Sequence, residues 1–308
     1  MSCRPVQDTV HIDTILDLHQ LAGAAPPRHP LLSLVRVEDH AIGPEFPRLM
    51  SYGFYTIGMK QNVPNGLYFG RGKYDFKDGT LTFTAPHQVV GFDPQLDQIT
   101  GWMLMFHKSL LAGHPLFSQL EQFGFFQYEV NEALHLSADE EQTMNGVFGI
   151  IATESQRPLD RHSKQVLIAN IELLLTYANR FYARQFITRL DADRSVLTKF
   201  TAILAQQCSV AALQQKGIPS VQSIAQQMHL SSNYLSDLLK SATGKSTQDH
   251  IHQYLIDLAK SRLLDSKASV SEIAYELGFE YPQYFSRLFK SKVGLAPGAW
   301  RKANIGAI

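Results

Sequence analysis

The sequence predicts an α+β chain in two parts, a strand-rich part followed by an all-helical one. Three observations carry that prediction. Between about residues 31 and 107, short β-branched and aromatic runs alternate with turn residues. Past Lys108 the apolar spacing changes to three and four, the helical period. In the last 120 residues one pattern of helix, tight turn and helix is written twice.

At 308 residues the length suits about two domains. With 44% hydrophobic and 18% charged residues, the composition excludes a disordered tail protein, a coiled-coil rod and a collagen-like chain. The net charge of zero hides an asymmetry: residues 1–188 carry 14 basic and 19 acidic side chains, residues 189–308 carry 14 and 9. The positive half points to a polyanionic partner. Two cysteines, Cys3 and Cys208, fit a reducing compartment. The first residues lack an apolar h-region, and the longest clean apolar run, Trp102 to Phe106, has only strand length. The expectation is a soluble cytoplasmic protein with no membrane partner.

The strands come first. Leu31 to Val37, Tyr52 to Ile57, Leu67 to Gly70, Val89 to Phe92 and Trp102 to Phe106 are the candidates. Pro64-Asn65-Gly66 signals a turn, and Asp78-Gly79 between Tyr74-Asp75-Phe76 and Leu81-Thr82-Phe83 signals a hairpin. Such a series suits a small antiparallel barrel or sandwich over about 31–107. Ser137-Ala138-Asp139-Glu140 is a capping box opening a helix toward Glu154. After Pro158 a second helix is expected over about 159–186, with Val166, Ile171, Leu174, Leu175, Ala178, Phe181 and Tyr182 on its apolar stripe, widened by Leu167, Ile168 and Leu173. So wide a stripe can serve both the strand domain and a second subunit. The composition turns polar between Thr188 and Arg194, which sets the domain limits at 1–188 and 189–308.

The repeat follows. Its copies run from Ser220 to Gly244 and from Ser269 to Gly294, with Ile224-Ala225 answered by Ile273-Ala274 and Leu235 by Phe285. Ser220 and Ser269 are N-caps, the latter with Glu272 in a capping box. Gly278 supplies a turn residue free to take positive φ, and His229 stands there in the first copy. Gly244 and Gly294 end the second helices, and Pro282 suits a first turn. Leu235, Leu238, Leu239 and Ala242 form one buried stripe; Phe285, Leu288 and Phe289 form the other. Opposite them lie Asn233, Ser236, Asp237 and Lys240, then Gln283, Ser286, Arg287 and Lys290. Amides, hydroxyls and a guanidinium in that arrangement match base edges and phosphates in a major groove. The connector, 247–264, carries Ile251, Leu255, Leu258 and Leu263 on one side. Its length as a helix is about 27 Å. Successive major grooves on one face of B-DNA lie about 34 Å apart, so a rigid connector can hold two reading helices in adjacent grooves.

Residues from about 195 to 302 resemble the AraC/XylS-type DNA-binding domain. The resemblance rests on the paired motifs, on the connector from His252 to Leu264, and on Ile273 to Phe279 followed by Tyr284 to Lys290, Gly294, Pro297 and Arg301. It implies a helix-turn-helix over about 220–244, a connector helix over 247–264 and a second helix-turn-helix over about 269–294. It further implies transcription regulation, commonly activation, with double-stranded DNA and RNA polymerase as partners. The contacts it implies fall on Ser232, Asn233, Ser236 and Asp237, then on Pro282, Gln283, Tyr284, Ser286 and Arg287. Lys240 and Lys290 extend the two polar faces. Asp237 departs from a pattern that often has arginine; it either accepts from a cytosine amine or adds little. The strand-rich part resembles, more loosely, the cupin-like sensor domain of such regulators, through its strand series, Gly79 to Val89 and the two following helices. That implies a small-molecule effector inside a barrel and a homodimer through helix 159–186. Phe54, Tyr68, Arg71, His87 and Trp102 are candidate pocket linings.

The competing class is a metal-dependent enzyme. His87 and His107 stand alone in the strand region, and His250 and His252, two apart on a helix, diverge by about 200° and cannot share a metal. Gly66, Gly70 and Gly72 lack a following Lys-Ser/Thr, and no nucleophile motif occurs. The sequence therefore predicts no catalytic residue, no metal and no cofactor.

Overall fold

The structure is a computed structural model that describes residues 9–39, 46–47, 49–61, 68–69, 72–73, 79–91, 100–129, 132–192, 195–265 and 268–305. The chain forms two compact units, Met1–Gln185 and Phe186–Ile308. The first unit is strand-rich and the second helical.

The strands of the first unit are β1 (Val10–Ile12), β2 (Leu32–Arg36), β3 (Leu49–Tyr52), β4 (Tyr55–Gln61), β5 (Tyr68–Phe69), β6 (Gly72–Lys73), β7 (Thr80–Thr84), β8 (Val89–Gly91), β9 (Thr100–Phe106) and β10 (Leu134–His135). They make a five-stranded antiparallel sheet in the order β10-β7-β4-β9-β2, a three-stranded sheet β1-β3-β8 and a β5-β6 pair. In the three-stranded sheet β1 runs parallel to β3. Among the described residues these are separate sheets and not one closed barrel, which corrects the barrel expected over 31–107.

Gly53 marks where the expected strand Tyr52 to Ile57 divides. The chain leaves one sheet at Tyr52 and enters the other at Tyr55. Gly53 N–H donates to the Ile12 carbonyl at 2.8 Å. A Cβ on residue 53 would lie 2.5 Å from the Asp13 carbonyl oxygen, so the crossing requires glycine. The turn at 64–66 and the first arm of the expected hairpin, 74–76, lie outside the described residues.

The five-stranded sheet separates two environments by strand alternation. On one face Trp102 stacks on Phe148, Phe106 on Tyr55, and Phe83 meets Phe125 and Phe126. The other face turns Val35, Met103 and Met105 toward Met50, Tyr52 and Ile12 of the three-stranded sheet. Helix α1 (Ile15–Leu21) closes that space, started by a capping box between Thr14 and Asp17. A short α2 (Leu116–Gln119) follows β9.

Helix α3 (Ala138–Ser155) starts from the predicted Ser137–Glu140 capping box, with both arms formed. Helix α4 (Ser163–Ala192) starts four residues later than expected, because Asp160 Oδ1 accepts from the amides of His162 and Ser163. It also runs on to Ala192, so the polar stretch from Thr188 is largely helix. Of its predicted stripe, Ile171, Leu174, Leu175 and Ala178 are fully buried, while Val166 and Leu173 are exposed.

The second unit holds α5 (Ser195–Gln207), α6 (Val210–Lys216), α7 (Val221–Gln227), α8 (Ser232–Thr243), α9 (Thr247–Asp265), α10 (Val270–Glu276), α11 (Pro282–Val293) and α12 (Pro297–Ile305). One apolar core joins them, with Ile224, Ala225, Leu235 and Leu239 from the first repeat, Ile251, Leu255, Ile256 and Leu263 from the connector, and Ile273, Ala274, Phe285 and Phe289 from the second. Cys208 lies fully buried in this core, and burial pushes the pKa of its thiol up to about 11. Among the described residues no single helix is long and apolar enough to cross a membrane.

Candidate nucleic-acid interface

The two repeats fold alike because local chemistry sets the ends of each helix. Ser220 Oγ accepts from the Ser223 amide at 3.1 Å. Ser269 and Glu272 cap each other's amides at 3.2 and 2.6 Å. Ser231 caps α8, and Pro282 opens α11 at a position where no intrahelical donor is needed. The turns match bond for bond. Leu230 N–H reaches the Ala225 carbonyl and Phe279 N–H the Ala274 carbonyl, each at 3.0 Å. His229 takes φ +56° and Gly278 φ +79°. Gly244 and Gly294 close α8 and α11 in the left-handed conformation, returning N–H groups to the Lys240 and Lys290 carbonyls.

The second reading helix presents the cleaner face. Gln283, Tyr284, Arg287 and Lys290 are exposed together on α11; Pro282 and Ser286 are half-buried beside them. The Arg287 guanidinium lies 5.8 Å from the Tyr284 ring centroid, a cation–π contact that orients it. Among the described residues no carboxylate pairs with Arg287 or Lys290. Tyr281, unpredicted, stands exposed against Tyr284 at 5.6 Å. Its signal was an aromatic residue directly ahead of a helix-opening proline.

The first reading helix is narrower. Lys240 is exposed, but Ser232, Asn233 and Asp237 are half-buried, and Ser236 Oγ donates to Thr247 Oγ1 at 3.1 Å. One side-chain placement corrects the expected buried stripe. Ala242, in the last turn of α8, is exposed rather than buried. Tyr234 is fully buried, its ring edge-on to Phe186 at 5.1 Å.

Polar ties hold the connector in place. Lys292 of α11 donates to Asp249 Oδ1 at 2.9 Å, and Ser246 Oγ donates to Asp249 Oδ2 at 2.8 Å. Arg301 of α12 donates to the carbonyls of Leu263 and Ala268 at 3.0 and 2.7 Å, near the end of α9 where a cation also meets the helix dipole. His250 and His252, on divergent sides, bond Thr243 and Gln248, and burial lowers the pKa of each. The hydrogen bond from Lys292 depresses the Asp249 pKa to about 2. A carboxylate depressed in the folded state stabilises above its unfolded value, about 4, and loses that contribution as pH falls through about 2. The expected result is a melting-temperature gap between wild type and Asp249→Asn that is constant above pH 5, shrinks below pH 4 and closes near pH 2. A gap independent of pH in a titration of thermal unfolding contradicts the pairing.

Of the candidate pocket residues of the first unit, the three described ones, Phe54, His87 and Trp102, do not converge. Phe54 is fully buried in the inter-sheet core, stacked on Tyr52 at 5.3 Å. His87 is exposed in a turn at φ +66°. Trp102 faces α3, with its indole Nε1 donating to Asn145 Oδ1 at 3.1 Å and Arg36 4.4 Å over its ring. Arg71 and the Tyr68 side chain lie outside the described residues.

Against known proteins, residues 224–303 match the helix-turn-helix domain family. The chain is 35% identical over 79 residues to the uncharacterized HTH-type transcriptional regulator YtdP of Bacillus subtilis, covering 26% of this chain and 10% of that one. It is 27% identical over 146 residues to the HTH-type transcriptional activator RhaR of Salmonella heidelberg, covering 47% of this chain and 48% of that one. It thus spans less than half the length of either relative. The C-terminal domain of the response regulator yesN from Fusobacterium nucleatum superposes with a TM-score of 0.31 at 27% identity, over 35% of this chain and 99% of that one. These relatives carry the names of regulators, not of enzymes. Residues 224–303 of this chain are thus similar to the helix-turn-helix domains carried by transcriptional regulators.

Proposed function

We propose that the chain is a sequence-specific regulator of transcription that grips double-stranded DNA through its two reading helices. One observation carries this: Gln283, Tyr284, Arg287 and Lys290 stand exposed along one side of α11, while the opposite side anchors in a core shared with the first motif and the connector. In this reading Arg287 takes a guanine edge, Gln283 an adenine edge and Lys290 a phosphate. At 19 residues, α9 is a strut of roughly 28 Å, stiffened by that common core. The first motif contributes less, because Ser236 is engaged and Asp237 repels phosphate.

Activation is the sense favoured by the name of the RhaR relative. The reading also includes a small-molecule effector held by the first unit, contact with RNA polymerase and work in the cytoplasm. Pairing of two copies along α4 is supported by the exposure of Val166 and Leu173, seven residues apart on that helix.

The test uses a duplex selected from a random pool by the full chain. Affinity is expected to fall linearly on a log–log plot as salt rises, from counterion release. Lys290→Ala is expected to flatten that slope by about 1, equally on all sequences. Arg287→Ala is expected to cost about 1–3 kcal/mol and to relax selectivity at one base pair. Unchanged binding by Arg287→Ala removes the second motif from the interface.

A further inference from the structure

A cavity of about 100 Å³ lies between the two sheets of the first unit, lined mainly by Leu18, Val35, Met50, Tyr52, Met103 and Met105. The cavity is partly open to solvent, yet its wall is almost wholly apolar. A water needs two to four polar partners, and this wall offers almost none. His19 borders it with both ring nitrogens engaged, Nδ1 on the Ala25 carbonyl at 2.5 Å and Nε2 with Ser33 Oγ at 2.9 Å. That leaves Tyr52. It is 4% exposed, and among the described residues the partner of its hydroxyl is Met50 Sδ at 3.8 Å, a weak acceptor. A buried phenol ordinarily finds an oxygen or nitrogen partner.

We infer that this cavity binds a small, uncharged, largely apolar molecule that offers one acceptor oxygen to the Tyr52 hydroxyl. The inference rests on the effector reading above and names its ligand class. At about 100 Å³ the cavity is smaller than an engineered apolar cavity of ~150 Å³ that takes benzene, so the occupant is at most a single ring, admitted by movement of the flexible methionine walls. Among the described residues no lysine or arginine lines the wall, so an anion would lose its hydration without a partner. A polyhydroxylated ligand would bury hydroxyls against carbon and sulfur, at a cost for each one left unbonded. Three methionines give walls that adapt to differing ring substituents. The site lies in the inter-sheet space, on the face of β9 opposite Trp102.

The probe is acetophenone, a single ring with one carbonyl, added to the full chain carrying ¹³C-methyl methionine. Seven methionines report. The methyls of Met50, Met103 and Met105 are expected to shift together while those of Met59, Met144 and Met228 hold still. Benzoate and xylose at equal concentration should move none of them. Tyr52→Phe, which keeps the ring, is expected to weaken acetophenone about 3- to 10-fold. Absence of the three shifts at millimolar acetophenone, or equal shifts with benzoate, overturns the assignment, and the wild-type spectra decide this even if the variant folds poorly. DNA affinity measured in the same samples separates the two readings. Occupancy without a change in DNA affinity supports the cavity and removes the effector role. A change in DNA affinity with xylose or benzoate and no methionine shift keeps an effector and overturns this site.

Discussion

Phe285→Ala is expected to cost the helical unit about 3–5 kcal/mol, the range for removing a buried aromatic ring. Phe285 is fully buried in the first half of α11. Its ring lies 5.4 Å from Phe279 at the turn and 5.8 Å from Phe289, which in turn meets Trp300 of α12 at 5.9 Å. The same core takes Leu235 and Leu239 from α8 and Ile251 and Leu255 from α9. The hole therefore opens where both motifs and the strut meet. Collapse into it is restricted, because α10 and α11 are pinned at their ends by the Ser269 cap, the turn at Gly278 and the left-handed Gly294. The two tryptophans give one probe in each unit, Trp102 and Trp300. With 5-fluorotryptophan in the full chain, the ¹⁹F signal of Trp300 should unfold at markedly lower urea in Phe285→Ala while that of Trp102 keeps its midpoint. A loss under about 1 kcal/mol would mean that the site repacks freely and that no common core sets the spacing of the reading helices.

What the sequence showed and what it hid divide along the range of the interactions. Caps, turns and stripes of the two motifs involve residues within four positions of one another, and Ser220, Ser269, Gly244, Gly278 and Gly294 all sit where local chemistry places them. The capping box at Thr14 and Asp17 is equally local, its two partners three positions apart. The partition of strands into two sheets was not local. It depends on β1 lying beside β3 forty residues later and on the close pass of Gly53 against Asp13. The cavity-lining residues were hidden for a sharper reason. Trp102 and Met103 are neighbours of similar hydrophobicity, and pairing register alone sends the first toward α3 and the second into the inter-sheet space. On α8, the engagement of Ser236 by Thr247 and the burial of Tyr234 against Phe186 likewise come from elements outside the motif.

Opposite substitutions at the two turns are expected to act with opposite sign. Gly278→Ala should destabilise the helical unit by about 2–4 kcal/mol, strain and overpacking together. At φ +79° a side chain is strained whatever the space, and there is little: a Cβ would meet the Leu213 carbonyl oxygen at 3.0 Å and the Gly217 Cα and carbonyl carbon at 3.1 Å. Those are backbone atoms of α6 and its cap, so relief requires α10 to move away from α6. His229 occupies the matching turn at φ +56° with an exposed side chain. His229→Gly removes the strain without losing packing, against the extra backbone entropy of glycine, for a net gain of up to about 1 kcal/mol. The turn also sets the angle at which its reading helix leaves the core. Gly278→Ala should therefore weaken DNA binding at temperatures where the unit is still folded, whereas His229→Gly should leave it unchanged. Paired urea titrations and duplex titrations on the two variants read both effects. If His229→Gly destabilises as much as Gly278→Ala, the histidine ring holds the first turn by contacts of its own, and the physical equivalence of the two motifs fails at that turn.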